Sequence, residues 1–377
     1  MVEFPVVPVS PKESRAFKQG SKDESIVLQV QPPKDGPGIE KGPSFLRAVH
    51  HVNVEEGMFS SSIESGVFSF EMWYHEEELD FYFVLPDRQS EDHYRRQLSG
   101  YYPGLQIEEQ KQTEDKFIPV ESGRAGAAVQ LGAKKHIYEP LSTPGSEDSS
   151  ESDPYRAILN EVDSRKETTI LIQILYKPLS RKWTRIVGTS LEEFGQRVEE
   201  DGVLEERLFG FFSDRLEDSS LQQKAADAIR EQNGEPAFLT EVRLAVFADT
   251  KQEAQNEIKT LFDLFERTYQ GPTGQTLTMK AQDTEDLLAR AVLRERVYGD
   301  FPRGTLSGIQ LLSGTQPYLM CTPEELSGLV HLPNESDIPI SGINYTDSLS
   351  DGTLPPESRV FEPVSEEEKQ EFRRNSN

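Results

Sequence analysis

"LDFYFVLPDRQSEDHYRRQLSGYYPGLQIEE", Leu79 to Glu109, moves from one structural period to another and back. "LDFYFVL" reads as a strand. Ser90 is placed to cap a helix running to Leu98, "YYPG" stops that helix, and "LQIEE" begins a second strand. Strand, helix and strand from one short segment imply a sheet with a helix laid across it.

The flanks extend the pattern. Upstream, "FSFEMWY" puts Phe68, Phe70 and Met72 on one face and pairs with "LDFYFVL" across the polar turn "HEEE", giving a hairpin. Downstream, Ala127 to Tyr138 reads as a strand, followed by the polar insertion "STPGSEDSSESD" and a short helix from Pro154 to about Val162. "ETTILIQILYKP" is then an almost unbroken apolar run, as expected of a strand covered on both faces. From Leu79 the order is strand, helix, strand, strand, helix, strand, the split β-α-β succession of ferredoxin-like domains, whose helices pack on one face. The expected fold class is α+β.

Beyond this unit, Leu191 to about Val198 and Leu221 to Arg230 have helical spacing and predict a helical insertion. "PAFLTEVRLAVFAD" then predicts a strand ending at Asp249 or Thr250, either able to cap the next helix. In that helix Ala254, Ile258, Leu261, Phe262, Phe265 and Tyr269 form one apolar face. "QTLTMKAQ" follows as a strand and Glu285 to about Arg294 as a helix, making a second, less complete ferredoxin-like half. The expected organisation is an irregular arm over 1–42, a first α+β unit over 43–186, a helical segment over 187–234, a second α+β unit with a closing helix over 235–333, and an acidic flexible tail over 334–377. There is no tandem repeat at the level of residues.

Composition narrows the function. The 377 residues suggest two to three domains at about 150 residues each. With 66 Asp plus Glu against 40 Lys plus Arg, the net charge is −26, which argues against strong direct nucleic-acid binding because phosphate contact depends on Lys and Arg. So acidic a surface resembles cytoplasmic proteins of salt-loving microbes, where salt screens the like charges. One cysteine forms no intrachain disulfide, and no apolar run approaches the roughly 20 residues of a membrane span. The expectation is a cytoplasmic protein, with membrane association only through a partner.

Candidate chemistry is sparse. "GPTGQTLTMK" lacks the Gly-Lys-Ser/Thr ending of a phosphate loop, and its Pro272 removes an amide donor, so it reads as a turn before a strand. Adjacent His50 and His51 diverge by about 100° on a helix, and "HEEELD" has Leu79 where a zinc-protease motif needs its second histidine. His93 and His136 have no ligand partner at metal spacing. Cys321 and His331 fall at opposite ends of "CTPEELSGLVHLP", about 15 Å apart by helical rise, too far for a nucleophile and its base. No catalytic residue, cofactor or metal site is expected, and the chain is not expected to be an enzyme. One basic cluster stands out: Lys177, Arg181, Lys182 and Arg185 around Trp183 are candidate contacts for an acidic partner, phosphate or nucleic acid. A solvated exit from the preceding strand, with Trp183 covering the edge of the sheet, is the favoured reading of them. Arg290, Arg294 and Arg296 suit the end of a helix.

The ordered set is more telling than any one motif. "FSFEMWYHEEELDFYFVLPDRQSEDHYRRQLSGYYPGLQIEE", "DPYRAILNEVDSRKETTILIQILYKPLSRKWT", "RLAVFADTKQEAQNEIKTLFDLFE" and "LMCTPEELSGLVHLP" together resemble the amino-terminal region of conjugation and type IV secretion ATPases and their helicase-like DNA-pumping relatives, in the haloarchaeal version. The resemblance runs from about Phe45 to about Pro339. It implies a non-motor domain whose closing segment hands over to a Walker-bearing motor, either separately encoded or fused C-terminally. It also implies an assembly role through protein contacts, with a homo-oligomer and indirect membrane association through transfer components. The alternatives are a self-assembling structural or viral/plasmid protein, or a weak single-stranded nucleic-acid binder.

Overall fold

The computed structural model describes residues 4–12, 14, 25–50, 54–56, 61–63, 66–110, 120–135, 139–143, 153–165, 167–179, 235–272, 274–280, 288 and 318–347. In chain order the strands are β1 (Val6–Pro8), β2 (Ile26–Gln31), β3 (Val54–Glu56), β4 (Ser61–Ile63), β5 (Phe68–His75), β6 (Glu78–Leu85), β7 (Gln106–Gln110), β8 (Ala125–Ala133), β9 (Thr169–Pro178), β10 (Phe238–Ala248), β11 (Leu277–Lys280) and β12 (Leu319–Cys321). The α-helices are α1 (Gly42–Val49), α2 (Arg88–Tyr101), α3 (Tyr155–Asp163), α4 (Lys251–Thr268) and α5 (Pro323–Leu329). The fold is mixed α/β, dominated by one large antiparallel sheet.

That sheet runs β1-β8-β10-β9-β5-β6-β2-β7, with β11 beside β1 on the edge of β8 and β12 beside β8 on the edge of β10. Two blocks are visible in this order. β2, α1, β5, β6, α2 and β7 supply the block β5-β6-β2-β7, and β8, α3, β9, β10, α4 and β11 supply the block β11-β8-β10-β9. In each block, strands joined through a helix run parallel to one another with an antiparallel strand between them. β6 and β7 flank β2, and β8 and β9 flank β10. The blocks meet along β5 and β9, from Phe68 opposite Tyr176 to Tyr74 opposite Ile170.

This differs from the sequence expectation in an instructive way. The succession that starts at Leu79 does not close as one unit, because β7 lies at one end of the sheet and β8 near the other. The span expected to be an irregular arm instead contributes β1 and β2, and β2 is an interior strand between β6 and β7. The first part of the expected flexible tail is also packed. Ile338, Ile340, Ile343 and Thr346 are buried, the Thr346 amide donates to Pro32 O at 2.9 Å, and the Leu79 amide donates to Gly342 O at 2.8 Å. Apolar residues spaced along "IPISGINYT" drive that docking, and their irregular spacing hides it from periodicity. The expected helices at 191–198, 221–230 and 285–294 lie outside the described residues, Leu288 excepted.

The helices pack on one face. Phe45, Leu46, Tyr94, Leu98, Tyr155, Ile158, Ile258, Phe265 and Leu326 share one core with Phe70, Met72, Phe81, Phe83, Ile172, Ile174, Val242 and Leu244 from the strands. α4 buries Ala254, Ile258, Leu261, Phe262 and Phe265, and each of its large apolar side chains contributes about 2 kcal/mol by leaving water. Its N-cap is Thr250, in a reciprocal capping box with Glu253. In α2 the cap is Asp87, whose carboxylate accepts the Ser90 amide at 2.8 Å, so Ser90 is capped where it was expected to cap. The β5–β6 hairpin turns through Glu76 and Glu77, both at positive φ, in a two-residue connection that normally favours Asn-Gly.

Candidate functional site

The residues singled out by chemistry are mostly spent on holding the fold. Cys321 is buried, and burial pushes its thiol well above the ordinary range, beside the Glu325 carboxyl. Such a thiol does not ionise to a nucleophile near neutral pH. His50 Nε2 lies 3.1 Å from Ala237 O, and His93 Nε2 lies 3.0 Å from Ala48 O. His75 Nδ1 lies 2.9 Å from Thr169 Oγ1, and burial lowers the pKa of its ring. In "GPTGQTLTMK", the Gly271 amide donates to Gln275 O at 2.8 Å and the Gly274 amide to Gly271 O at 2.9 Å, closing a turn ahead of β11. Among the described residues no group of three or more His, Cys, Asp or Glu is placed to hold a metal ion.

Of the basic cluster, Lys177 sits near the end of β9, half-buried and opposite Leu239 of β10. Arg181, Lys182, Trp183 and Arg185 lie outside the described residues, as do His51, His136, Arg290, Arg294 and Arg296.

Two polar centres emerge that periodicity did not show. The first crosses the sheet on the face away from the helices. Register places Glu108 beside Gln29, Gln29 beside Tyr82, and Tyr82 beside Glu71. Beyond the seam, Gln173 lies beside Arg243, Arg243 beside Gln130, and Gln130 beside Lys280. Glu71 and Gln173 face each other at the seam itself. Residues opposite one another in neighbouring strands project to the same side, so these form one row. Its two halves mirror each other: each first strand gives a glutamine, Gln29 or Gln130, and the outer strands give Glu108 and Lys280.

At the seam the row is buried and internally bonded. Glu71 accepts from Gln173 Nε2 at 2.9 Å, Trp73 Nε1 at 3.0 Å and Ser69 Oγ at 3.2 Å. Arg243 donates from Nε to Glu241 at 2.5 Å and from Nη1 to Gln173 Oε1 at 3.3 Å. With Glu71 and Gln173 at 0% exposure and Arg243 at 1%, these bonds compensate desolvation that would otherwise be severe. The network ties β5 to β9 and β9 to β10, and so crosses the junction between the blocks.

The second centre lies in the helical layer. His331, just past α5, has Nε2 3.0 Å from both carboxylate oxygens of Asp153 and Nδ1 2.7 Å from Ser327 O. Asp153 Oδ1 also accepts the Tyr155 amide at 2.8 Å. The Tyr155 ring stacks on the imidazole at 3.9 Å between centroids, and its hydroxyl donates to Leu329 O at 2.5 Å. Tyr269, at the end of α4, donates to Gly328 O at 2.9 Å. Thr322 caps α5 as expected, and Glu325 completes a capping box while also accepting the Leu141 amide at 2.8 Å. Thus α5 is fixed to the connection before α3, to α3 and to α4 through buried polar bonds. The pairing of His331 with Asp153 spans most of the second block, and spacing alone carries no trace of it.

Residues 7–341 match the family described as Domain of unknown function (DUF8128). The chain belongs to this family. No curated protein matches the sequence. The DUF8128 span starts within β1 and ends in the packed segment after α5, so it contains both blocks of the sheet, the row at their seam and the His331–Asp153 centre.

Proposed function

We propose that this DUF8128 protein is a non-catalytic assembly module that acts through protein contacts. In this reading each block is a ferredoxin-like unit, since both follow strand, helix, strand, strand, helix, strand with spatial order fourth, first, third, second. The units would span 26–110 and 125–280, in place of the 43–186 and 235–333 expected from sequence. The observation that carries the reading is the seam: two such units joined edge to edge through their second strands, β5 and β9, already use strand pairing as their means of association.

The internal engagement of Cys321, His331, Asp153, Glu71 and Arg243 supports a role in which polar chemistry serves rigidity. The resemblance between Phe45 and Pro339 supplies the partner class, a motor ATPase of a DNA-translocating system, separately encoded or fused C-terminally. The test is to purify the full chain at high salt, measure ATP hydrolysis, and run it on gel filtration with a Walker-bearing motor ATPase of a haloarchaeal DNA-transfer system. Co-elution without hydrolysis by the chain alone is expected. Robust hydrolysis by the pure chain, or separate elution of the two proteins, overturns the proposal.

A further inference from the structure

We infer that His331 and Asp153 form a proton-dependent latch: one shared proton holds α5 and the segment after it on the helical layer, and loss of that proton releases them. The inference rests on hydrogen-bond accounting and does not depend on the assembly role proposed above. Ser327 O can only accept, so the nitrogen 2.7 Å away, Nδ1, carries hydrogen. Nε2 faces both Asp153 oxygens at 3.0 Å, and two ionised carboxylate oxygens can also only accept. The observed contacts therefore need one proton more than a neutral imidazole and a carboxylate possess. Equal distances to the two oxygens favour an imidazolium donating to a carboxylate over a carboxylic acid with its hydrogen on one oxygen. Without that proton, either the Nε2 lone pair faces the carboxylate or the Nδ1 lone pair faces Ser327 O, at side-chain exposures of 0% for His331 and 1% for Asp153.

The carboxylates of Glu335 and Asp337, in the segment after α5, act on Tyr345 together with Asp153, and four tyrosines surround the pair. From α3 comes Tyr155, from the end of α4 Tyr269, from the end of α2 Tyr102, and from the segment after α5 Tyr345. Burial raises the pKa of all four phenols, so they stay neutral. α5 itself carries Glu325 and the adjoining Cys321 at its other end, and Glu324 on its exposed side pairs with Arg47 of α1. α1 approaches His331 at Gly42, where a Cβ would stand 3.6 Å from the histidine Cβ. The consequence of proton loss is local, because Ser327 and Leu329, whose carbonyls take the bonds from His331 and Tyr155, both belong to α5.

The experiment uses the full chain at fixed high salt and needs no ligand. Side-chain nitrogen shifts of His331 are followed with pH alongside amide exchange of Leu326, Leu329 and Val330, corrected for the intrinsic pH dependence of exchange. Two protonated nitrogens are expected wherever α5 is protected, and proton loss should share its midpoint with an increase in α5 exchange of about tenfold or more, while α4 stays protected. In Glu325→Gln, which removes the separate titration of α5 through its capping box, the pH step in α5 should persist, and adding His331→Gln to that variant should abolish it. If the double variant does not fold, the comparison of midpoints in Glu325→Gln decides alone. A neutral imidazole with α5 protected, midpoints that do not coincide, or a step that is abolished by Glu325→Gln or survives in the double variant overturns the inference.

Discussion

Replacing Glu325 separates two effects that the structure superimposes on one carboxyl group. Its Oε2 accepts from Thr322 N at 2.7 Å and Thr322 Oγ1 at 2.9 Å, and its Oε1 accepts from Leu141 N at 2.8 Å. Burial raises its pKa from 4.5 to about 7, outweighing those three donors, which favour the ionised form. Glu325→Ala loses half a capping box, about 1 kcal/mol, and leaves the Leu141 amide unpaired, about 1–3 kcal/mol, for a total of about 2–4 kcal/mol. Glu325→Gln keeps one acceptor oxygen, for Leu141, turns its amide nitrogen to Thr322 at a cost that does not vary with pH, and removes the titration. Because the folded value lies above the unfolded one, the folded state holds a proton that the unfolded chain has released between them. The associated stability is fully present below about 4.5 and is lost as pH rises through about 7. Urea unfolding of wild type and Glu325→Gln in parallel cancels the other carboxylates. The wild type should gain about 2–3 kcal/mol relative to the variant as pH falls from 8 to 5. A difference that stays constant with pH, or that grows as pH rises, refutes the reasoning.

Arg243→Met should destabilise by about 3–5 kcal/mol in urea unfolding, because Glu241 loses its ion-pair partner inside the fold, and Glu241→Leu added to it should recover much of the loss. Thr250→Ala should cost about 1 kcal/mol by removing the cap of α4, read from the same assay. In Gly342→Ala the new Cβ would stand 2.7 Å from Glu77 O, so a loss of about 1–3 kcal/mol and faster proteolysis after Pro333 are expected.

What could be read from the chain divides along physical lines. Local patterns carried the elements: the β5–β6 hairpin, α2, α3, β9, β10, α4 and the Thr322-capped α5 all come from alternation, helical spacing or a cap within a few residues. Pairing was not local. β2 was hidden among prolines and charge, and nothing in "IVLQVQ" states that its neighbours will be β6 and β7, dozens of residues on. The two blocks share a strand order without a repeat of residues, because order depends on which faces and edges are covered. The seam row left a faint trace in Glu71, Gln173 and Arg243, polar residues within apolar strands, which mark a buried network only once register brings them together. His331 and Asp153 gave no such trace, since their contact is set by how α5 and α3 stack.

The assembly role depends on the two blocks forming one continuous sheet through β5 and β9. Cross-strand amide contacts measured by nuclear Overhauser spectroscopy on the deuterated full chain test this directly. Contacts following the register of Ser69 with Leu175, Glu71 with Gln173 and Trp73 with Leu171 are expected, together with slow amide exchange along both strands. Absence of those contacts, with rapid exchange along the facing edges of β5 and β9, would contradict the single continuous sheet.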